Sequence, residues 1–178
     1  MCVQKRKVLL YLVFILLIAK ASNFAQQQSP ADWKAFNFLI GEWVGEGSGT
    51  PGEATGSSTF SFNLQDRVLI RNSYADYPAA NNRPAFRHDD LMIIYQENKS
   101  IRAIYFDNEG HVINYTVSLS TDLNSIICLS EINPTAPRFR FTYTKMENNR
   151  MKFNFDFAPP GKPEEFSKYL DGMVRKKI

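Results

Sequence analysis

From residue 42 onward the chain is written largely in a period of two. Apolar and polar side chains alternate over short runs, and turn-forming Gly, Pro, Asn and Asp recur between them. Such alternation turns one face of a strand toward a core and the other toward water. The runs fall at residues 42–48, 57–64, 67–74, 90–96, 101–106, 111–119, 126–132, 138–145, 150–157 and 168–176. Residues 97–99, 107–110 and 121–124 are turn sequences, and Asp107-Asn108-Glu109-Gly110 is a hairpin turn because Asn and Gly tolerate positive φ. Residues 78–88 form a longer loop, and Pro159, Pro160 and Pro163 mark another. Strands joined mostly by turns, with no helix between them, make a meander. A meander has two unpaired edges unless it closes on itself. The chain therefore predicts an all-β fold, a roughly ten-stranded antiparallel meander β-barrel; a flat sandwich is the alternative.

One helical segment precedes the strands. Asp32 is placed to cap it, Trp33, Phe36 and Leu39 recur every three residues on one apolar face, and Gly41 ends it.

The alternation also predicts which side chains face inward. Phe139, Phe141 and Tyr143 alternate with Arg138, Arg140 and Thr142, and Phe153, Phe155 and Phe157 alternate with Lys152, Asn154 and Asp156. The aromatic faces therefore line the barrel. The same logic places His111, Ile113, Tyr115 and Val117 inside. The run at 90–96 is apolar on both faces and its register is not readable.

The first residues read differently. Lys5, Arg6 and Lys7 precede an apolar run of twelve, residues 8–19, too short for a membrane-spanning helix of about 20 residues. Small residues then offer cleavage after Ala21 or Ala25, ahead of Gln26-Gln27-Gln28. Residues 1–25 are a secretory signal peptide by charge, length and exit chemistry, 26–34 a linker and 35–178 the barrel domain. The mature protein is expected to be exported, periplasmic or secreted, with no stable membrane partner after cleavage. Losing residues 1–21, which hold Lys5, Arg6, Lys7 and Lys20 and no acid, takes the formal charge from +3 to about −1. A near-neutral surface gives no reason to expect nucleic acid as a partner. Cys2 leaves with the signal, so Cys128 has no internal partner and reads as a buried, inert thiol.

Gly41-Glu42-Trp43-Val44-Gly45-Glu46-Gly47 resembles the first strand of the calycin, lipocalin-like superfamily, most closely its nitrobindin-like ten-stranded barrels. The runs 87–92, 105–113 and 158–163 look like an uncharacterised bacterial branch of those barrels. The resemblance implies structural roles for Trp43, closing one barrel end, and for Arg175, stacked over it from the last strand. Nitrobindin-like haem binders carry their proximal His near the C-terminus. Between Glu164 and Ile178 this chain has none, and Tyr169 is more readily a packed ring. No cofactor is therefore expected, and a haem-binding protein stands only as a further alternative.

No Ser-His-Asp arrangement, HExxH motif, Cys cluster or phosphate-binding loop is present. A ten-stranded barrel is wide enough to leave an interior cavity. Aromatic walls with sparse polar groups suit a small hydrophobic or aromatic molecule, held among His111, Tyr95, Tyr115, Tyr143, Phe141, Phe155 and His88. A solidly packed core is the alternative for the same rings. The function expected is thus an exported small-molecule binding barrel. The second expectation is an enzyme at the barrel mouth, with His111 or His88 as acid/base and Arg71 or Arg87 as anion partner. It requires these groups to meet at one barrel end. His88 beside Asp89 and Asp90 also has metal-ligating chemistry, but neighbours on a strand face opposite ways, so no metal site is assigned.

Overall fold

Strand β1 (Gly41–Gly45) pairs with β2 (Thr55–Asn63) on one side and with β10 (Ser167–Lys176) on the other, and the second pairing closes the sheet. Between them run β3 (Val68–Tyr77), β4 (Phe86–Glu97), β5 (Ser100–Asp107), β6 (Val112–Leu119), β7 (Ser125–Ser130), β8 (Arg138–Lys145) and β9 (Arg150–Ala158). Every neighbour in sequence is a neighbour in the barrel and every pairing is antiparallel. The computed structural model describes residues 32–47, 54–80 and 83–178. The expected signal peptide, its expected cleavage points and most of the expected linker lie outside them. No helix among the described residues is long and apolar enough to cross a membrane.

One barrel end is plugged. Residues Lys34–Leu39 form a 3-10 helix, whose three residues per turn set Trp33, Phe36 and Leu39 along one buried edge. The N-cap position is Trp33 rather than Asp32, which lies one residue earlier and accepts the Lys34 N–H at 3.0 Å. Trp33 Nε1 donates to the Asp66 carbonyl (2.7 Å) and Trp43 Nε1 to the Leu39 carbonyl (2.6 Å), which ties the helix to the barrel. Trp43 itself is buried at this end, but its cation is not Arg175. Lys176 is the residue opposite Trp43, with its Nζ 5.5 Å from the indole centroid, while Arg175 pairs with Val44 and is exposed. Adjacent strand residues face opposite ways, so this one-step difference in register moves the arginine outside.

Above the plug, Phe60, Leu69, Met92, Ile94, Tyr115, Ile126, Cys128, Tyr143 and Met151 form a continuous buried core. Burial pushes the Cys128 thiol up to about 12, which suits an inert packing role. The inward aromatic faces of β8 and β9 are as expected: Phe139, Phe141 and Phe153 pack against this core. Gly172 on β10 lies opposite Phe153 because a Cβ there would fall 2.6 Å from the ring.

The longer loop expected at 78–88 is shorter. Strands β3 and β4 extend to pair Tyr77 with Phe86 and Ala75 with His88, so His88 belongs to a strand. Met92 and Ile94 are the buried residues of β4, which turns Tyr95 to the outer wall, opposite Arg102. Tyr95 is therefore no part of the interior.

Candidate functional site

Among the described residues no helix lies over the end of the barrel away from the plug, and the inward side chains there are of two kinds. Along β8 and β9 stand Phe139, Phe141, Phe153 and Phe155, all partly exposed. Phe139 and Phe155 stack at 5.6 Å, Phe141 and Phe153 at 6.2 Å, and Phe141 meets Phe155 at 5.7 Å. At the lip, Tyr169 sits at a bulge in β10, 71% exposed, edge-on to Phe155 and Phe157.

Opposite this wall, β3 to β6 supply a polar network. Arg71 projects inward between Leu69 and Ser73, its side chain only 4% exposed. Its Nη1 donates to the Tyr143 hydroxyl and its Nη2 to Asp90 Oδ1. Its guanidinium carbon lies 5.1 Å from the centroid of Phe141. Burial opposes the Arg71 charge, but Tyr143 and the Asp90 carboxylate outweigh it and hold the group protonated, above its ordinary value. Arg71 and Asp90 are 19 residues apart in sequence, and only the β3–β4 register brings them together.

Nearer the lip, the imidazole of His88 lies between two partners. Its Nδ1 is 2.8 Å from Glu109 Oε1 and its Nε2 is 3.0 Å from the Tyr105 hydroxyl. That hydroxyl is also 3.3 Å from Asp107 Oδ2, which in turn is 2.9 Å from His111 Nδ1. Glu109, His88, Tyr105, Asp107 and His111 thus form one connected line. Burial raises Tyr105 well above the ordinary phenol range, so it stays protonated with one hydrogen to give. With His88 neutral and its Nδ1–H toward Glu109, Tyr105 donates to Nε2; with His88 protonated, Tyr105 donates to Asp107. Burial disfavours the Asp107 carboxylate, but the backbone N–H groups of His111 and Glu109 and the His111 imidazole outweigh it and hold Asp107 below its usual range.

The expected site residues are therefore redistributed. Tyr115 and Tyr143 are inside, buried in the packed half, and Phe141 and Phe155 line the open half. His88 is inward at the rim and its side chain is 23% exposed. His111 is not inside: its side chain is 61% exposed, because β6 begins only at Val112 and residue 111 clears the rim. Both histidines do reach the same end and share one network. Arg87 does not join it. It lies on the outer wall over the Tyr74 ring at 4.0 Å, beside Asp76 and Asp89. Arg71's buried partnership, Tyr105, Asp107 and Glu109 were not anticipated. Tyr105 lies on β5 between apolar neighbours that do not mark it, and Asp107 and Glu109 belong to a turn sequence.

Two open grooves mark the outside. One of about 510 Å³ runs along β2 to β5 between Thr59, Asn72, Tyr74, Arg87 and Phe106, and one of about 390 Å³ lies at the rim near Tyr77 and Phe86. Both are wide open, so neither removes most of a small molecule from water as binding sites do.

Of the side chains that could ligate iron, Tyr169 is exposed at the lip, Cys128 is sealed in the packed half, and each imidazole has its Nδ1 against a carboxylate. Among the described residues, no group of three His, Cys, Asp or Glu side chains has the geometry of a metal site.

No protein-family model matches this chain, and no curated protein matches it. Its fold has solved counterparts. The crystal structure of Rv2717c from M. tuberculosis superposes with a TM-score of 0.55 at 14% identity, covering 85% of this chain and 100% of that one. Likeness at that identity is a likeness of fold.

Proposed function

We propose that the protein binds a small hydrophobic or aromatic molecule in the open end of its barrel. The observation that carries this reading is the wall of Phe139, Phe141, Phe153 and Phe155, inward-facing yet partly exposed, at the end away from the Lys34–Leu39 helix. Rings that served only to pack a core would be sealed as Phe60 and Tyr115 are. Facing them, Arg71, Tyr105 and His88 offer a few oriented polar groups, the usual make-up of a small-molecule site. The calycin-like, nitrobindin-like character of the Gly41–Gly47 segment supports ligand carriage in general, and the basic, apolar start of the chain supports export.

The reading is tested with purified protein and N-phenyl-1-naphthylamine, whose fluorescence rises on leaving water. Saturable one-site binding is expected, weakened at least tenfold by Phe155→Glu and unchanged by Tyr74→Ala in the outer groove. The opposite sensitivity would move the site to the outer wall.

The line Glu109–His88–Tyr105 favours a second reading, acid/base catalysis on the bound molecule. The carboxylate orients an imidazole whose other nitrogen meets a phenol at 3.0 Å. Turnover abolished by both His88→Gln and Tyr105→Phe, with probe binding intact, would establish it over simple carriage.

A further inference from the structure

On three strands the outer wall departs from the alternation that governs much of the barrel. Outward residues are Ser57, Thr59 and Ser61 on β2, Arg140 and Thr142 on β8, and Lys152 and Asn154 on β9. On β3 to β5 they are mostly apolar, and register gathers them into rows that cross the three strands. Ile70, Ile93 and Ile104 form the middle row. Val68, Tyr95 and Arg102 form the row toward the plug, and Asn72, Leu91 and Phe106 the row toward the mouth. All of these residues reach solvent at least in part. Strand β4 is thus apolar on both faces, the pattern of a strand covered on both sides, and contiguous apolar faces mark interaction sites.

The shape of this face selects its partner. Toward the mouth, Asn72, Leu91 and Phe106 line the groove of about 510 Å³. Toward the plug, the corresponding row carries two long side chains, Tyr95 and Arg102. A two-fold axis along the isoleucine row brings the plug-side row of one copy against the mouth-side row of another. Tyr95 then enters the groove beside the partner's Leu91, Arg102 covers the partner's Phe106, and each isoleucine meets its counterpart. Arg102, the one ion in the three rows, carries its Glu131 partner with it, so no unpaired charge is covered. A small ligand or a peptide would fill the groove and leave the Tyr95 row unused; a second copy engages both.

We infer that the outer face of β3 to β5 is the contact of a two-fold dimer of this protein, packed wall to wall with the two barrel mouths at opposite ends. Three strands span about 14 Å and Val68 to Tyr74 about 20 Å, which is small beside the ~800 Å² per partner of a standard interface and makes the association reversible.

Sedimentation velocity of the full-length protein tests this. The weight-average mass is expected to rise toward twice the monomer's over a range of about 1–500 μM. Ile93→Lys, at the centre of the face and outside the core, should weaken association at least tenfold, and Tyr95→Ala should weaken it too. Thr142→Lys, outward on β8, should leave it unchanged. A protein that stays monomeric throughout overturns the assignment. So does a dimer that ignores Ile93→Lys, as one formed through the apolar residues 8–19 would, or one that Thr142→Lys weakens equally. A dimer lost in Ile93→Lys but indifferent to Tyr95→Ala overturns the two-fold arrangement. Should Ile93→Lys fail to fold, Tyr95→Ala against Thr142→Lys decides the point.

Discussion

Replacing Arg71 by methionine strands Asp90 at the barrel interior. Both side chains are nearly inaccessible, at 4% and 9%, and the Asp90 carboxylate loses the guanidinium that meets its Oδ1. Removing one partner of a buried pair typically costs about 3–5 kcal/mol, because the remaining charge is neither hydrated nor compensated. The Tyr143 hydroxyl loses its partner too, adding roughly 1–3 kcal/mol if it stays unpaired. Together these approach the whole stability of a domain this size, about 5–15 kcal/mol. Pairing Arg71→Met with Asp90→Leu also removes the stranded charge. The tyrosine loss is common to the single and double variants, so it cancels between them. The double variant should therefore recover about 3 kcal/mol or more of the single variant's loss. Urea unfolding at pH 7, followed through the buried Trp33 and Trp43, gives the four free energies of the cycle. A single variant that loses under about 1 kcal/mol, or a double variant no more stable than the single, would refute the interior ion pair.

Two further outcomes follow from local geometry. Asp107 has its pKa depressed by folding, so its ionised form stabilises the native state above the unfolded value near pH 4, and that contribution fades as pH falls through the folded value. Asp107→Asn should thus lower the urea midpoint at pH 7, and the gap from the native protein should narrow as pH falls below about 4; a gap that stays constant over that fall would contradict the assignment. Gly172→Val places atoms where the Phe153 ring lies 2.6 Å from any Cβ, and should cost about 1–3 kcal/mol by overpacking. Adding Phe153→Leu should restore much of the loss in thermal unfolding, whereas a cost that persists would locate the strain in the backbone.

The barrel was legible because its strands alternate. On β8 and β9 every second residue over 139–143 and 153–157 is an aromatic ring, and burial of one face leaves a single register for them. The spacing of Trp33, Phe36 and Leu39 foretold a short helix with one apolar face but not its place in the barrel end, and three residues per turn suits a 3-10 helix better than an α-helix. Where both faces of a strand are apolar, that signal disappears. On β4 the choice between Leu91-Ile93-Tyr95 and Met92-Ile94 falls to pairing with β3 and β5, and it put Tyr95 outside.

The sequence by itself determined a closed meander with an aromatic lining. Those properties repeat along many residues, so hydrophobic burial enforces them without reference to any one contact. Only the tertiary structure decided the mouth. Arg71 meets Asp90, and His88 meets both Glu109 and Tyr105, across strands whose alignment depends on register. His111 clears the rim because β6 starts one residue later. Lys176 rather than Arg175 covers Trp43, because the β1–β10 register sets that lysine opposite the indole. A shift of one residue reverses the face a side chain presents, and local sequence carries too little energy to choose between the two.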